Sequence, residues 1–182
     1  IAEIIIDELK LEDVTKDMRY QAKTANFSII YGSSAFGLAQ NLNISRSDAK
    51  KLIDGYFGTY PGVKEFKTKS VEKARKTEYV TTIFGRKRYL QYINSRNGIL
   101  RGNAERNAVN APIQGSAADI INIAMISIHK KIAEKGLKSK MIIQVHDELL
   151  FDVLISEKEE IKKIITTEME NACELSIPLI AE

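Results

Sequence analysis

Residues 141–153 read MIIQVHDELLFDV, and this stretch decides the fold class. The segments 141–145 and 149–153 are apolar and rich in β-forming residues, which indicates two strands. The connecting tripeptide, His-Asp-Glu at 146–148, is so short that the strands must be antiparallel neighbours. We therefore predict a hairpin with buried strands in an otherwise helical chain, which is an α+β fold.

Apolar residues at helical spacing predict helices on both sides of this hairpin. Thr15 and Ser45 are expected to be N-caps, Gly32 and Gly136 to end helices, and Ser156 with Glu159 to open the last helix. The predicted helices cover residues 1–11, 15–31, 45–60, 63–74, 100–135 with an interruption at Pro112, and 156–172. An irregular hairpin is expected around Gly85 at residues 79–90, and an edge strand at 177–180.

The 182 residues fit one large domain or two small ones sharing a core, and 44% are hydrophobic, as in ordinary folded proteins. Cys173 is the only cysteine, which excludes an internal disulfide and favours a reducing, cytoplasmic compartment. We see no leader, and the best apolar run, 120–128, is far short of a membrane span, so no membrane partner is expected. Because the chain starts at Ile1, we expect a fragment or a processed chain.

Charge is distributed unevenly along the chain. Residues 64–106 hold 12 Lys and Arg against 4 Asp and Glu, whereas residues 147–182 hold 3 against 10. A solvated helix face explains many charge runs. The alternative is a basic surface that meets a polyanion.

Arg19, Lys23, Phe27 and Tyr31 lie four residues apart. On a helix each such step drifts only about 40°, so the four side chains form one stripe. Two cations one turn apart suit a triphosphate, and a flat ring one turn further suits its sugar and base. The alternative is that Phe27 and Tyr31 are core residues while the two cations extend to solvent.

Asp147 and Glu148 place two acids at the turn of the predicted hairpin. Neighbouring like charges repel and are costly to desolvate unless a cation uses them. Mg²⁺ is bound by one or two carboxylates plus substrate phosphates, and phosphoryl-transfer enzymes commonly use two ions roughly 4 Å apart. A solvated turn without metal is the alternative. With one cysteine and two histidines in the chain, a zinc site is not expected.

Arg106, Asn110 and Gln114 form a second series four residues apart, across Pro112. All three can donate hydrogen bonds to the acceptors that every base pair shows in the minor groove. Such contacts would test the shape of a pair without reading its sequence. A merely polar helix face is the alternative.

Together, three segments resemble family A DNA polymerases, the bacterial DNA polymerase I type, over essentially the whole chain. Residues 19–32 (RYQAKTANFSIIYG) resemble the fingers-helix motif of that family. Residues 104–119 (AERNAVNAPIQGSAAD) resemble the segment that follows it, and residues 144–149 (QVHDEL) the final catalytic motif. The resemblance implies a multi-domain polymerase type of fold, with a helical fingers subdomain over 1–97 and part of an antiparallel-sheet palm over 98–182.

The resemblance further implies template-directed addition of deoxynucleotides to a primer 3′ end, in DNA replication and repair. Arg19 and Lys23 would bind the triphosphate, Lys23 also acting in catalysis, and Phe27 would pack against the sugar. In this family a Phe rather than a Tyr at this position is associated with discrimination against dideoxynucleotides. Tyr31 would complete the nucleotide site and guard the templating position.

The remaining implied roles concern DNA and metal. Asp147 would hold the catalytic metals, two Mg²⁺ ions in the intact enzyme, with Glu148 beside it as a second catalytic acid. The implied partners are primer–template DNA and dNTPs, the expected state is a monomer, and the expected location is the bacterial nucleoid, with an organelle left open. The implied DNA-binding residues are Gly32, Ser34, Phe36, Arg106, Asn110, Gln114, Gln144 and His146.

This chain departs from the family pattern at two positions and lacks one motif. Ser28 stands where Gly is usual, and Gln91 stands where Pro is common. The first catalytic motif, an Asp followed by Tyr or Phe, Ser and soon Glu, surrounds none of the Asp residues and is expected upstream of Ile1. The metal site would then be half built, and we expect the isolated chain to be inactive.

Two other classes of function remain open. A non-catalytic DNA-binding module is favoured by the basic segment 64–106 and by the missing motif. A metal-dependent phosphohydrolase would use His129, His146 and Asp147, but a His-Asp pair placed between strands and a shortage of further ligands count against it.

Overall fold

The computed structural model describes residues 14–181, so the helix predicted over residues 1–11 lies outside the described part. Within it are two antiparallel hairpins and a 3₁₀ turn, Ile155–Glu157. The helices are α1 Lys16–Ile30, α2 Ala35–Leu42, α3 Arg46–Thr59, α4 Pro61–Thr77, α5 Gly98–Glu134 and α6 Lys158–Glu170. The strands are β1 Tyr79–Thr81, β2 Lys87–Tyr89, β3 Lys140–Val145 and β4 Glu148–Asp152. The predicted α+β class is confirmed.

The described residues divide into two compact units. The first holds residues up to Thr81 together with Gly85–Ile113, and the second holds Thr82–Phe84 and the residues from Gln114 on. This division by contacts is not a division by function, so the predicted subdomain boundary at 97/98 stays a prediction.

Helix α1 is held in the first unit by one apolar face. Ala25 and Ile29 are buried on that face and pack in one cluster with Leu38 of α2 and with Ala49 and Tyr56 of α3. The Tyr56 hydroxyl also donates a hydrogen bond of 3.0 Å to Asn26 Oδ1. The opposite face of α1 is consequently left to solvent.

The predicted caps of the first unit are confirmed, and one helix is additional. Thr15 Oγ1 accepts from the Met18 amide, and Ser45 Oγ accepts from the Asp48 amide. Helix α2 was not expected from the sequence; Ser34 caps it, and Leu38 anchors it in the core. Helix α4 begins at Pro61 rather than Val63, because a proline at the first helical position lacks an amide hydrogen that would be unpaired anyway.

The prediction of buried strands in the second hairpin is wrong for one of its two faces. Met141, Leu149 and Phe151 pack against a cluster built on Ile128 of α5 and Ile161 of α6. No described residue covers the other face. Its apolar side chains are therefore exposed, because strand residues become buried only where a second layer packs on them. Its exposed apolar side chains are Ile142, Ile143, Val145 and Leu150.

Helix α5 runs through Pro112 without the interruption predicted there. A proline inside a helix removes one backbone hydrogen bond and crowds the carbonyl one turn earlier. Packing of Ala104, Ala108 and Val109 on one side and Ala124 and Ile128 on the other offsets that cost, since all five are buried. The helix ends as predicted at Gly136, whose φ of +64° suits a residue without Cβ.

Two predictions at the end of the chain are wrong. Ser156 does not cap the last helix but lies in the 3₁₀ turn, and Glu157 precedes α6 without a side-chain cap. Residues 177–180 form no strand; the Ala181 amide bonds to the Glu170 carboxylate, and the segment lies along α5. A β-prone run becomes a strand only when it pairs with a strand edge, and this segment packs beside α5 instead.

Helix α5 is the one described helix long and apolar enough on average to cross a membrane. Its mean hydropathy is high although its longest apolar run is short, because few charged residues lie in the middle of the helix. Long core helices of water-soluble proteins meet the same criterion, so the expected absence of a membrane partner stays a prediction.

Candidate functional site

The predicted stripe on α1 faces solvent. Arg19 and Lys23 are exposed, Phe27 is 44% exposed, and Tyr31 is half-buried, which contradicts the alternative in which both rings are core residues. The Phe27 and Tyr31 rings stack with centroids 5.8 Å apart, and Lys23 Nζ lies 5.9 Å from the Phe27 centroid. The stripe is therefore a preformed surface on which the two cations precede the two rings along the helix.

The charges of this stripe are uncompensated. Within residues 14–181 neither Arg19 nor Lys23 makes a salt bridge. Arg19 lies at the end of the first turn of α1, where the helix macrodipole adds positive potential. An anion bound here would gain two charge-assisted hydrogen bonds without breaking an existing ion pair.

The C-terminal end of α1 brings together residues from three parts of the sequence. Gly32 has a φ of +81° and closes the helix, with the Ser33 amide bonded to the Ser28 carbonyl at 2.8 Å. A Cβ at Gly32 would lie 3.5 Å from Arg106 Cγ and 3.6 Å from Lys67 Nζ. Gly32 and Arg106 are therefore neighbours in the structure, and their contact with DNA stays a prediction.

Lys67 is the residue at this junction that the sequence did not single out. It is half-buried, and its Nζ lies 5.7 Å from the Phe57 ring centroid. Burial lowers the pKa of Lys67, and the Glu105 carboxylate acts in the opposite direction. The only sequence signal was its membership in the basic segment 64–106, which does not distinguish it from other lysines.

Ser34 and Phe36, both predicted to contact DNA, differ in how they are used. Ser34 Oγ accepts from the Gly37 amide at 3.2 Å, so its hydroxyl already caps α2. Phe36, on the first turn of α2, is exposed and free of core contacts. Of the two, Phe36 offers the more available surface to a ligand.

The polar series on α5 is distributed over both units. In the first unit, the Arg106 guanidinium donates to Asn103 Oδ1, and Asn110 Oδ1 is buried with no donor among the described residues. In the second unit, Gln114 is exposed. A buried carbonyl oxygen without a donor is costly, so Asn110 is suited to accept a hydrogen bond from a ligand.

The turn of the second hairpin projects the predicted acid into solvent. His146 and Asp147 connect the paired residues Val145 and Glu148. His146 has a φ of +57°, and its carbonyl accepts a hydrogen bond of 2.7 Å from Gln144 Nε2. A side chain from β3 therefore helps to fix the backbone that presents Asp147.

Asp147 lies at the rim of a mostly apolar cavity of about 270 Å³. The cavity is formed by α5, α6 and the C-terminal segment, so the second unit itself builds this environment. Asp147 and Glu148 are exposed, and neither makes a salt bridge within the described residues. The other lining residues are Ala117, Ile120, Ile121, Ala124, Met169, Leu179, Ile180 and Ala181.

The described residues supply only part of a metal site. Across residues 14–181 no three His, Cys, Asp or Glu side chains cluster closely enough to hold an ion. His129, His146 and Asp147 are thus not brought together, which counts against the phosphohydrolase. One accessible carboxylate nevertheless fits a Mg²⁺ site that is completed by substrate phosphates and by carboxylates from elsewhere.

The base of this hairpin is held by a contact that the sequence did not predict. The Glu157 carboxylate accepts from the amides of Lys138 and Ser139 and from Ser139 Oγ. Ser139 Oγ in turn accepts from the Leu154 amide, so the two strand ends are joined. The Lys138 and Ser139 hydrogen bonds hold the pKa of Glu157 below its usual range.

We expect a Glu157→Gln variant to loosen the hairpin base at neutral pH and not in acid. Because the folded pKa lies below the usual value of 4.5, the stabilisation is fully present above 4.5 and is lost as pH falls through the folded pKa. Amide hydrogen exchange at Lys138 and Ser139 is therefore expected to be faster in the variant at pH 7, with the difference vanishing in acid. A Glu159→Gln control, on α6, should leave the exchange rates of both amides unchanged. If the exchange difference between the Glu157→Gln variant and the wild type did not depend on pH, the role of the Glu157 carboxylate would be contradicted.

Comparison with known proteins identifies close relatives. The family model described as DNA polymerase family A matches residues 2–182. DNA polymerase I of Caldicellulosiruptor bescii is 52% identical over 172 residues, covering 94% of this chain and 20% of the relative. DNA polymerase I of Streptococcus pneumoniae is 51% identical over 171 residues, with coverage of 94% and 20%.

A solved structure gives the same relationship. The POL domain of Pol1 from M. smegmatis, in complex with DNA primer-template and dNTP, superposes with a TM-score of 0.92 at 43% identity. The match covers 98% of this chain and 31% of that one. The chain spans about a fifth of the length of the curated relatives that it matches.

Proposed function

Because this chain belongs to DNA polymerase family A, we propose that it supplies the nucleotide-binding helix and one metal-binding carboxylate of a template-directed DNA polymerase. The observation that carries the proposal is the exposed stripe on α1, with two unpaired cations followed by two stacked rings. Burying these groups would serve stability, whereas leaving them exposed serves a ligand with a charged and a flat part.

The proposed reaction joins a deoxynucleotide to a primer. The primer 3′-oxygen attacks the α-phosphorus of the nucleotide, the bond to the bridging oxygen of the β-phosphate breaks, and pyrophosphate leaves as the hydroxyl proton is lost. Arg19 and Lys23 would orient the triphosphate and balance the charge that develops on the leaving group. Phe27 would hold the sugar so that the reacting atoms are close.

Family membership implies a divalent metal requirement, and we propose Mg²⁺ as the ion. Asp147 would hold it, with Glu148 beside it, together with nucleotide phosphates and a carboxylate outside the described residues. When bound, such ions favour loss of the hydroxyl proton and neutralise charge on the phosphates. The partners in this proposal are primer–template DNA and dNTPs, and the setting is replication and repair by a monomer in the cytoplasm.

Primer extension by the full-length protein tests this function. The expected result is incorporation that requires template, primer, dNTP and divalent metal together, with strong preference for dNTPs over dideoxynucleotides. A Phe27→Tyr variant should reduce that preference by roughly tenfold or more, which is the effect of one good hydrogen bond. The added hydroxyl lies on an exposed ring and can form that bond with the bound nucleotide. A Tyr20→Phe variant, also exposed on α1, is the matched control.

Three results would contradict the proposal. DNA binding without any incorporation would favour the non-catalytic module, and nucleotide hydrolysis without DNA would favour the phosphohydrolase. Unchanged dideoxynucleotide discrimination in Phe27→Tyr would place the sugar away from the α1 stripe.

A further inference from the structure

A groove in the first unit has none of the predicted site residues in its lining. It has a volume of about 290 Å³ and runs between the segment that follows β2 and one face of α5. Pockets that enclose a whole small molecule usually reach ~300–1,000 Å³, so this one suits a single group of a longer ligand. We call it the tyrosine groove; its lining residues are Arg88, Tyr89, Leu90, Gln91, Tyr92, Leu100, Asn103, Ala104 and Asn107.

Two tyrosines flank this groove and face solvent while their neighbours are buried. Tyr89 is 69% exposed and Tyr92 is 53% exposed, whereas Leu90 and Ile93 are buried. The buried pair anchors the segment, and backbone bonds from Leu90 to Glu78 and from Ile93 to Leu90 fix its path. The exposed rings are therefore presented by a rigid backbone and are not needed to fill the core.

The Tyr89 ring is also held in place from the side. It meets the Tyr79 ring edge-on at 5.8 Å, and Lys87 Nζ lies 4.6 Å over the Tyr79 ring. Tyr79 and Tyr89 are paired across the β1–β2 ladder, so the strands set the position of both rings. A ring fixed in this way loses little conformational entropy when a flat ligand stacks on it.

The polar groups of the groove are available to a ligand. Within residues 14–181 the side-chain amides of Gln91 and Asn107 make no hydrogen bond, and Arg88 makes no salt bridge. The nearest acid on α5, Glu105, is already paired with Arg75 at 2.6 Å. The groove lies in the basic segment 64–106, so its occupant is expected to be an anion with flat groups.

We infer that the tyrosine groove binds an unpaired stretch of DNA, which, on the proposed function, is the single-stranded part of the template. Exposed aromatic rings stack unpaired bases of any sequence, and a cation beside them follows the phosphates. Duplex bases already stack on one another and leave no faces for Tyr89 and Tyr92. Free amides at Gln91 and Asn107 can bond to bases or sugars as the strand passes.

The test compares two DNAs with the same duplex, one blunt and one carrying a single-stranded template extension of about ten nucleotides. Fluorescence anisotropy gives the affinity of the full-length protein for each. The double variant Tyr89→Ala with Tyr92→Ala is expected to bind the extended DNA about tenfold or more weakly, with blunt DNA unchanged within about twofold. Tyr92→Ala alone should also weaken binding to the extended DNA, and it does not disturb the Tyr79–Tyr89 ring contact.

The controls separate stacking from loss of structure. Replacing both tyrosines by Phe keeps the rings and should keep the affinity, and Tyr20→Ala removes an equally exposed tyrosine elsewhere and should change nothing. Unchanged affinity of the double variant for extended DNA, or an equal loss on both DNAs, would overturn the inference. Failure of the proposed function is distinct, because it would abolish primer extension by the wild-type protein whatever the tyrosine variants bind.

Discussion

A Lys23→Ala polymerase is expected to lose about 10²–10³-fold in kcat/KM for the incoming nucleotide, which is the usual cost of removing one preorganised donor from a reacting oxyanion. Lys23 is exposed, has no carboxylate partner among residues 14–181, and lies one turn from both Arg19 and Phe27. Its charge is therefore available to a ligand. The fall should be seen both in affinity and in the rate of single-turnover incorporation, because the charge on the leaving phosphates grows in the transition state.

The structure supplies controls for this prediction. Because Lys23 is exposed and makes no salt bridge among the described residues, its removal should change the free energy of unfolding by no more than about 0.5 kcal/mol. Lys50→Ala on α3 removes another exposed lysine of the first unit and should leave incorporation unchanged. Lys23→Arg keeps the charge and should recover part of the rate. Wild-type kinetics in Lys23→Ala would exclude the α1 stripe as the triphosphate site.

Local signals in the sequence predicted the elements whose stability is local. Caps at Thr15 and Ser45 and the terminating Gly32 and Gly136 were confirmed because each acts through hydrogen bonds within one or two turns. Helix α2 was missed although Ser34 as a cap and Leu38 as an apolar anchor were both present, since eight residues give little periodicity to recognise.

Long-range packing accounts for most of the errors. Pro112 should break a helix by local rules, yet α5 continues because residues before and after the proline are buried and their packing offsets the cost. The apolar residues of β3 and β4 predicted burial on both faces, but the sequence of a strand does not determine whether another element packs on it. The run at 177–180 had the composition of a strand, but it packs beside α5 instead of pairing with a strand edge.

The candidate site shows the same division. Spacing alone predicted that Arg19, Lys23 and Phe27 share one face, because a helix fixes that relation. The proximity of Lys67 to Gly32 and the Glu157 contact at the hairpin base join residues far apart in sequence, and neither leaves a periodic signal.

An Asp147→Ala polymerase is expected to lose primer extension by about 10³-fold or more while retaining its affinity for primer–template DNA. Removing a carboxylate that holds a catalytic ion forfeits several kcal/mol of charge stabilisation in the transition state, and each 1.36 kcal/mol is tenfold in rate. DNA affinity should not fall, because an acid contributes nothing attractive to a polyanion. The measurement pairs single-turnover extension with a DNA-binding titration on the same preparation.

The geometry of the hairpin allows a loss of activity in this variant to be assigned to the missing carboxylate and not to unfolding. Asp147 is exposed at the turn and makes no ion pair within residues 14–181. The Gln144 side chain fixes the turn, and the Glu157 contact holds the opposite end of the hairpin. Loss of the Asp147 carboxylate should therefore leave the hairpin folded, and Asp147→Asn, which keeps the size and removes the charge, should be nearly as inactive. Asp152→Asn at the opposite end of β4 is the matched control and should extend normally. Extension at a near-normal rate in both Asp147 variants would mean that the exposed acid is only a solvated turn residue, and that the metal site lies elsewhere.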